Sequence, residues 1–250
     1  MDLQGKRVLV TGGTRGLGEA MAVSFAKSGA RVAINSRSED DAARAVLDRL
    51  AGLGQPAELI VADVARPEEC ERLIADTADR LGGLDVLVHN AGGPCGGKIE
   101  DVSTDDWMNA FDVHVHAAYH LVRHALPHLR KNSEGAIVLV SSAAGIRGCP
   151  GAIAYGTVKG AIAQFTRMLA RDLADDNLRV NCVAPGIIRT RFHQHMTPEQ
   201  QEHNLANRIP LHREGTSEDV AEVVHLLATN EFMTGETVVI DGGMTMQIVR

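Results

Sequence analysis

Tyr155 and Lys159, in YGTVK, are residues whose types and spacing suggest proton chemistry. On a helix, positions i and i+4 are neighbours on one face, so a phenol and an ammonium would sit side by side. A phenol near its ordinary pKa of about 10 is a poor base at neutral pH, but a nearby cation favours the phenolate and lowers that value. Such a pair could exchange a proton with a substrate oxygen. Ser142, at the end of AIVLVSS, could hydrogen-bond the same oxygen as charge develops on it. Tyr119 and Arg123, in YHLVR, share the spacing, and the chain has two tyrosines, so geometry alone leaves two candidates. A lone YxxxK is also common on solvated helix faces.

A second signal is TGGTRGLG, Thr11 to Gly18, between the run RVLV and the helical periodicity of LGEAMAVSFAKSG. Gly12, Gly16 and Gly18 permit a tight turn, close backbone approach to a pyrophosphate and close packing of helix on strand. Thr14, Arg15 and Leu17 complete the turn, whose following helix would aim its N-terminus at the phosphates. A turn without a ligand is the alternative. At the end of RVAINSRSED, Ser36 stands where an acid would bind the adenosine ribose and select NAD. Arg37 follows, and with Arg15 it could converge on a 2′-phosphate, which predicts NADP(H). The competing reading pairs both arginines with Glu39 or Asp40 at the surface.

The elements that must hold these groups are legible as an alternation. Short β-branched runs (RVLVT, RVAIN, ELIVAD, DVLVHN, AIVLVSS, LRVNCVAP and TVVIDGG) are separated by longer stretches rich in Ala, Leu, Arg and Glu. This predicts an α/β fold, a doubly wound parallel sheet of about seven strands with helices on both faces. With 250 residues, 44% of them hydrophobic, the chain can bury one sizeable core, so residues 1–250 are read as one domain. Residues 187–213 form its least regular part and are expected to act as a substrate lid, with His193 and His195 able to reach a substrate. A helix is expected near Ser217 to Leu227. A net charge of −7 argues against a nucleic-acid partner. No apolar run reaches the roughly 18 residues of a membrane span, and no signal peptide precedes the Gly-rich turn, so a cytoplasmic protein is expected. Cys70, Cys95, Cys149 and Cys182 show no pairing pattern and read as reduced thiols, with Cys95 and Cys149 near the pocket edge.

The spacing Gly-x-x-x-Gly-x-Gly resembles that of the short-chain dehydrogenase/reductase family. Further segments match in family order: Asp63 in ADV, Asn90-Ala91-Gly92, Ser142 in LVSSAAG, Tyr155 and Lys159, Pro185-Gly186 with Thr190 in APGIIRT, and Asp241-Gly242-Gly243. The resemblance covers nearly the whole chain. It implies a single Rossmann domain with a nicotinamide cofactor across the strands' C-terminal ends, and Ser142, Tyr155 and Lys159 as catalytic residues. It also implies that Lys159 binds the nicotinamide ribose, that Asp63, with Val64, lies at the adenine side, and that Asn90, with Ala91 and Gly92, lies near the ribose. Thr190 would hold the carboxamide, with Pro185, Gly186 and Ile188 beside it. Ser142 lies thirteen positions before Tyr155, the family's separation, whereas Asp106 occupies that place before Tyr119. Tyr155 is therefore preferred.

One residue departs from the pattern. His114, in FDVHVHAAY, stands where relatives have an asparagine that stabilises a helix kink and leaves a backbone carbonyl to hold a water near the lysine. The carbonyl does not depend on residue identity, so the relay is expected to survive. The reading is an NADP(H)-dependent carbonyl reductase or alcohol dehydrogenase, most similar to 3-oxoacyl-carrier-protein reductases. The alternatives are a halohydrin-dehalogenase-like lyase and a non-catalytic NADP(H) sensor.

His116, His120, His124 and His128 recur every four residues on the helix after the fourth strand, which Pro127 is expected to bend. Consecutive pairs could chelate a metal, but no H-E-x-x-H pattern or cysteine accompanies them, so no metal is expected. The resemblance implies that this helix packs against another subunit of a homodimer or homotetramer. The stripe would then face its copy, and protonation near pH 6.5 would loosen the assembly.

Overall fold

In the computed structural model, residues 1–54, 57–190 and 196–246 are described. Seven strands form one parallel sheet: β1 (Arg7–Thr11), β2 (Arg31–Ser36), β3 (Ala57–Val61), β4 (Val86–His89), β5 (Gly135–Val140), β6 (Leu178–Pro185) and β7 (Thr237–Ile240). They are ordered β3-β2-β1-β4-β5-β6-β7. Each anticipated run supplies one strand. Their apolar residues alternate between two faces, as a two-residue period requires. Val8, Val10, Val86, Val88 and Val138 join one core. Leu9, Leu87, Ile137 and Leu139 join the other. β5 and β6 are buried along their whole length, which explains their near-continuous apolar sequences.

The first face is covered by α1 (Gly16–Lys27), α2 (Asp41–Ala51) and α8 (Ser217–Thr229). The second is covered by α3 (Pro67–Leu81), α5 (Ala117–Leu129) and α6 (Ile153–Leu173). α4 (Thr104–Phe111) precedes α5, and α7 (Pro198–His203) lies in the 187–213 segment. Helix ends follow local chemistry. The Asp40 side chain accepts from Ala43 N–H at the start of α2, and Thr216 and Asp219 form a reciprocal capping box at α8. Strand order reverses between β1 and β4, so the carboxyl ends of those two strands open the crevice where such sheets bind ligands.

The helix carrying the histidines is not continuous. A π-helical turn, Asp112–His116, joins α4 to α5, and Pro127 lies inside α5, which runs on to Leu129. A second π-helical turn, Asn204–Arg208, follows α7. The roles expected for His193 and His195 lie outside the described residues.

Candidate active site

The Gly-rich turn is built so that side chains would not fit. Gly12 has φ +60°, and a Cβ there would lie 2.9 Å from Ala91 Cα. A Cβ on Gly18 would lie 2.1 Å from the Gly12 carbonyl oxygen. The turn, α1 and the end of β4 therefore touch backbone to backbone, leaving peptide groups at the crevice. Asn90 Nδ2 donates to the carbonyls of Thr11 and Gly12, each at 3.1 Å. These two bonds brace the turn at the crevice. Thr190 Cγ2 is 3.5 Å from where a Gly16 Cβ would sit, so the start of the 187–213 segment closes over the N-terminus of α1. Ile188 and Gly215 form a parallel bridge that holds that start in place.

At the end of β2, Ser36 Oγ donates back to the Ser38 carbonyl. Arg15 is ion-paired with Asp40, one of the two carboxylates that the competing reading names. Asp40 is already fixed by capping α2 and stands within reach. Arg37 is exposed and has no ion-pair partner among the described residues. Asp63 Oδ1 accepts from Ala65 N–H at 3.1 Å, and Val64 is buried. Asn35, not singled out from the sequence, anchors this region: its Nδ2 donates to Ile60 O at 3.1 Å and Ala62 O at 3.0 Å. Gly13 N–H donates to Asn35 O at 3.0 Å. A buried amide within the apolar run RVAIN was the available signal.

Ser142, Tyr155 and Lys159 meet beyond the end of β5. Ser142 begins the short 3-10 turn Ala143–Gly145 and accepts from Ala144 N–H at 3.2 Å. Its hydroxyl donates to Pro185 O at 3.5 Å and stands close enough to the half-buried Tyr155 phenol to act on its ionisation. Lys159 is 5% exposed, and its Nζ lies 5.6 Å from the Tyr155 ring centre. The ammonium donates to Val140 O at 2.9 Å. Burial pushes its pKa down to about 8, weakly opposed by the Cys182 thiol.

The expected depression of the phenol by this cation is not what the structure gives. Burial raises Tyr155 above its ordinary value, the neighbouring Ser142 hydroxyl opposes this, and Cys149 adds to the rise. The physical reason is that the ammonium lies beside the ring and is directed at a carbonyl. Ser142 is thus the group that favours the phenolate. Cys149 lies near enough to act on the phenol's charge, while Cys95 Sγ lies 3.7 Å from Asp106 O.

His114 is 3% exposed and sits in the π-helical turn, so the kink persists with an imidazole in place of the amide. Its Nε2 donates to Gly93 O at 3.1 Å. A Cβ on Gly92 would lie 2.2 Å from its Cε1, so the ring fills the space that Gly92 leaves. Its pKa falls to about 3 through burial and the Lys159 charge.

His89, at the end of β4, was not anticipated. It is 4% exposed, and burial, followed by Lys159, lowers its pKa to about 4. A histidine closing the otherwise apolar run DVLVHN was the signal.

The second tyrosine lies elsewhere. Tyr119 is 44% exposed on α5, where its hydroxyl accepts from Arg123 at 2.7 Å. Of the histidine stripe, His116 is exposed and bonded to Asp112 at 2.8 Å, while His120, His124 and His128 are partly buried. Among the described residues, no group of three or more His, Cys, Asp or Glu is placed to hold a metal.

This arrangement has relatives. Residues 12–245 match the family model described as enoyl-(acyl carrier protein) reductase, adh_short_C2. A glucose 1-dehydrogenase of Gluconobacter oxydans is 35% identical, over 97% of this chain and 92% of its own. The 3-oxoacyl-[acyl-carrier-protein] reductase FabG of Staphylococcus aureus is 33% identical, over 96% and 98%. Among solved structures, a short chain dehydrogenase from Burkholderia cenocepacia in complex with NADP superposes with a TM-score of 0.90 at 34% identity, covering 98% of this chain and 99% of that one. With the sheet order, the glycine turn and a near-complete family match in agreement, the chain belongs to the short-chain dehydrogenase/reductase family of oxidoreductases.

Proposed function

We propose that this protein is an NADP(H)-dependent oxidoreductase that interconverts a carbonyl and a secondary alcohol, and that a 3-oxoacyl thioester is the substrate class to try first. The observation that carries the reading is the meeting of Ser142, Tyr155 and Lys159 at the carboxyl end of β5, beside the crevice at which the sheet order reverses.

The residues present fit the dinucleotide. The glycine cradle leaves room that any Cβ would fill, and Thr14, Arg15, Gly16 and Leu17 would hold its phosphates at the start of α1. Ser36 and Arg37 would take the 2′-phosphate, with Arg15 released from its exposed pair with Asp40, an interaction of the kind worth little in water. Asp63 and Val64 would flank the adenine. Ala91 and Gly92 would line the ribose side with Lys159, and Pro185, Gly186, Ile188 and Thr190 would flank the nicotinamide. When bound, this cofactor supplies or accepts the hydride.

The chain's own groups do the rest. Tyr155 Oη gives a proton to the substrate oxygen in the reducing direction and takes it back in the other. Ser142 Oγ hydrogen-bonds the same oxygen, and through the phenol it steadies the charge left on Tyr155. Lys159 keeps a positive charge beside the ring and orients the ribose. His114 holds Gly93 and shapes the site through its backbone. The segment 187–213 acts as the lid that excludes water. The names of the relatives point to a sugar in one case and an acyl thioester in another, and the acyl-carrier-protein wording of the family model favours the thioester.

The test is a fluorescence titration with NADPH and NADH, followed by a carbonyl panel spanning 3-oxoacyl thioesters, sugars and small cyclic ketones. NADPH oxidation that falls by roughly 100-fold or more in Tyr155→Phe supports the reading. Binding without oxidation favours a sensor, and no binding of either dinucleotide favours a lyase.

We place the protein in the cytoplasm as a homo-oligomer, dimer or tetramer, joined through α5 and α6. The exposed Tyr119 and Met168 on those helices support the interface, and four free cysteines accord with a reducing compartment. No described helix is long and apolar enough to cross a membrane.

A further inference from the structure

Arg147 follows the 3-10 turn that Ser142 begins, and its side chain crosses to a distant part of the chain. Its Nη1 donates to the carbonyls of Met244 and Thr245, at 3.2 Å and 3.1 Å. The turn it meets, residues 241–246, is closely tied. Asp241 accepts from Gly243 N–H at 2.8 Å through Oδ1 and from Thr245 N–H at 2.6 Å through Oδ2. Leu211 N–H donates to Gly242 O at 3.2 Å. A Cβ on Gly242 would lie 2.7 Å from Ile209 Cγ2, and one on Gly243 would lie 3.1 Å from Pro210 Cγ. The turn is therefore packed on one side against the end of the 187–213 segment and bonded on the other to the loop after Ser142.

The same turn borders the proposed catalytic groups. Gly186 N–H donates to Ile240 O at 2.9 Å, and the adjacent Pro185 carbonyl accepts from Ser142 Oγ at 3.5 Å. Each of the three converging segments presents a large apolar side chain to solvent: Ile146 beside Arg147, Leu211 at 63% exposure and Met246 at 79%. Met246 Cε is 3.4 Å from where a Gly243 Cβ would sit, on the side of Pro210. Exposed apolar side chains gathered next to a reactive group mark a surface that an apolar ligand covers.

We propose that Arg147 is a positioning residue that sets substrate choice: by holding the carbonyls of Met244 and Thr245 it fixes the 241–246 turn as a wall of the substrate pocket, on which the apolar chain of a 3-oxoacyl substrate lies against Ile146, Leu211 and Met246. The inference rests on the functional reading above and deepens it, since a polyol would leave those three side chains in water. The guanidinium is directed at backbone carbonyls, so its effect falls on how the chain of the substrate binds and not on the reacting atoms.

Arg147→Met keeps a long unbranched side chain and loses the donors. In that variant, KM for a long-chain 3-oxoacyl N-acetylcysteamine thioester is expected to rise about tenfold, the scale of losing the burial of one or two methylene groups. Its kcat, KM for the 3-oxobutanoyl thioester and the Kd of NADPH are expected to stay within about twofold, because only uniform binding of the chain is lost. Arg147→Lys keeps a cation with three donors and is expected to recover most of the affinity. Met246→Ala is expected to show the same dependence on chain length and to add little to Arg147→Met, because both act through one wall. Amide hydrogen exchange at Thr245 and Leu211 is expected to quicken in Arg147→Met.

Equal changes in KM for both chain lengths would reduce the arginine to a structural tie and overturn the proposal. So would Arg147→Lys doing no better than Arg147→Met, additive losses in the double variant, or a wild-type enzyme that oxidises NADPH with a sugar and with neither thioester. If Tyr155→Phe retained full turnover, the functional reading would fail instead, and unchanged amide exchange in Arg147→Met would still refute the hold on the turn.

Discussion

The rings of His114 and Tyr155 meet edge to face, with centroids 5.9 Å apart and planes at 81°. The contact puts an imidazole against the proposed proton donor without making it a proton carrier. Its Nε2 is held on Gly93 O, and a pKa near 3 keeps the ring neutral at pH 7. The contribution of this position to chemistry then runs through its backbone.

His114→Asn is accordingly expected to keep or raise reductase activity, measured as kcat with NADPH. Loss of most activity would show that the imidazole itself is required. The same variant should resist acid better. Because the folded pKa lies below the ordinary 6.5, the unfolded chain binds the proton first, so stability is intact above pH 6.5 and is lost as pH falls toward 3. Each unit between the two values is worth about 1.4 kcal/mol. Denaturant midpoints at pH 7 and pH 4.5 should therefore differ less in His114→Asn than in wild type.

The alkaline side belongs to Lys159. Its ammonium is charged below about 8 and neutral above, because burial disfavours the charged form. Tyr155 is displaced the other way, so the first ionisation met on raising pH in the free enzyme is that of the lysine. kcat/KM, which reports the free enzyme, should fall as pH rises through about 8. Lys159→Arg keeps its charge throughout this range, and whatever activity it retains should lack that limb. A limb that persists unchanged in Lys159→Arg would assign it to another group.

The distribution of what was legible in the sequence has a physical logic. β5 and β6 were readable because strands covered on both faces need apolar side chains at every position, and Gly12 and Gly18 because backbone contact admits nothing larger. The π-helical turn around His114 was readable only as the kink that the family resemblance implies, since one inserted residue hardly disturbs the helical period of α4 and α5. The commitment of Asn90 to the carbonyls of Thr11 and Gly12 was not readable, nor that of Lys159 to Val140: spacing places a side chain on a face without saying which acceptor it turns to. Arg15 shows the same limit, because its pairing with Asp40 depends on where the first turn of α2 falls.

That pairing makes cofactor choice testable. Asp40 holds Arg15 in an exposed ion pair, whereas Arg37 has no such partner among the described residues. Arg37→Ala should weaken NADPH binding by about tenfold or more, the scale of a charge-assisted hydrogen bond, and leave NADH nearly unchanged. Asp40→Asn removes the competitor for Arg15 while retaining a side chain able to cap α2, so NADPH should bind more tightly. Equal effects on both dinucleotides would remove the 2′-phosphate from the explanation. Fluorescence titrations with NADPH and NADH measure both.

The histidine stripe gives the last prediction. His120 lies against Tyr119, with ring centroids 5.0 Å apart. Its pKa is lowered first by burial, then by His124, His116 and Arg123. His128 is lowered by burial and then Lys131. Both shifts favour the neutral ring. If α5 faces its own copy across a two-fold axis, as the proposed oligomer requires, each protonation adds like charge on both sides of the interface. Light scattering should then show an assembly intact at about pH 8 that loosens toward about pH 5.5, as imidazoles charge. Added salt should weaken the effect where the rings remain solvated. His120→Gln with His124→Gln should hold the assembly together at the lower pH. An oligomer that is indifferent to pH across this range would separate the stripe from assembly, because like charges that faced one another there would repel.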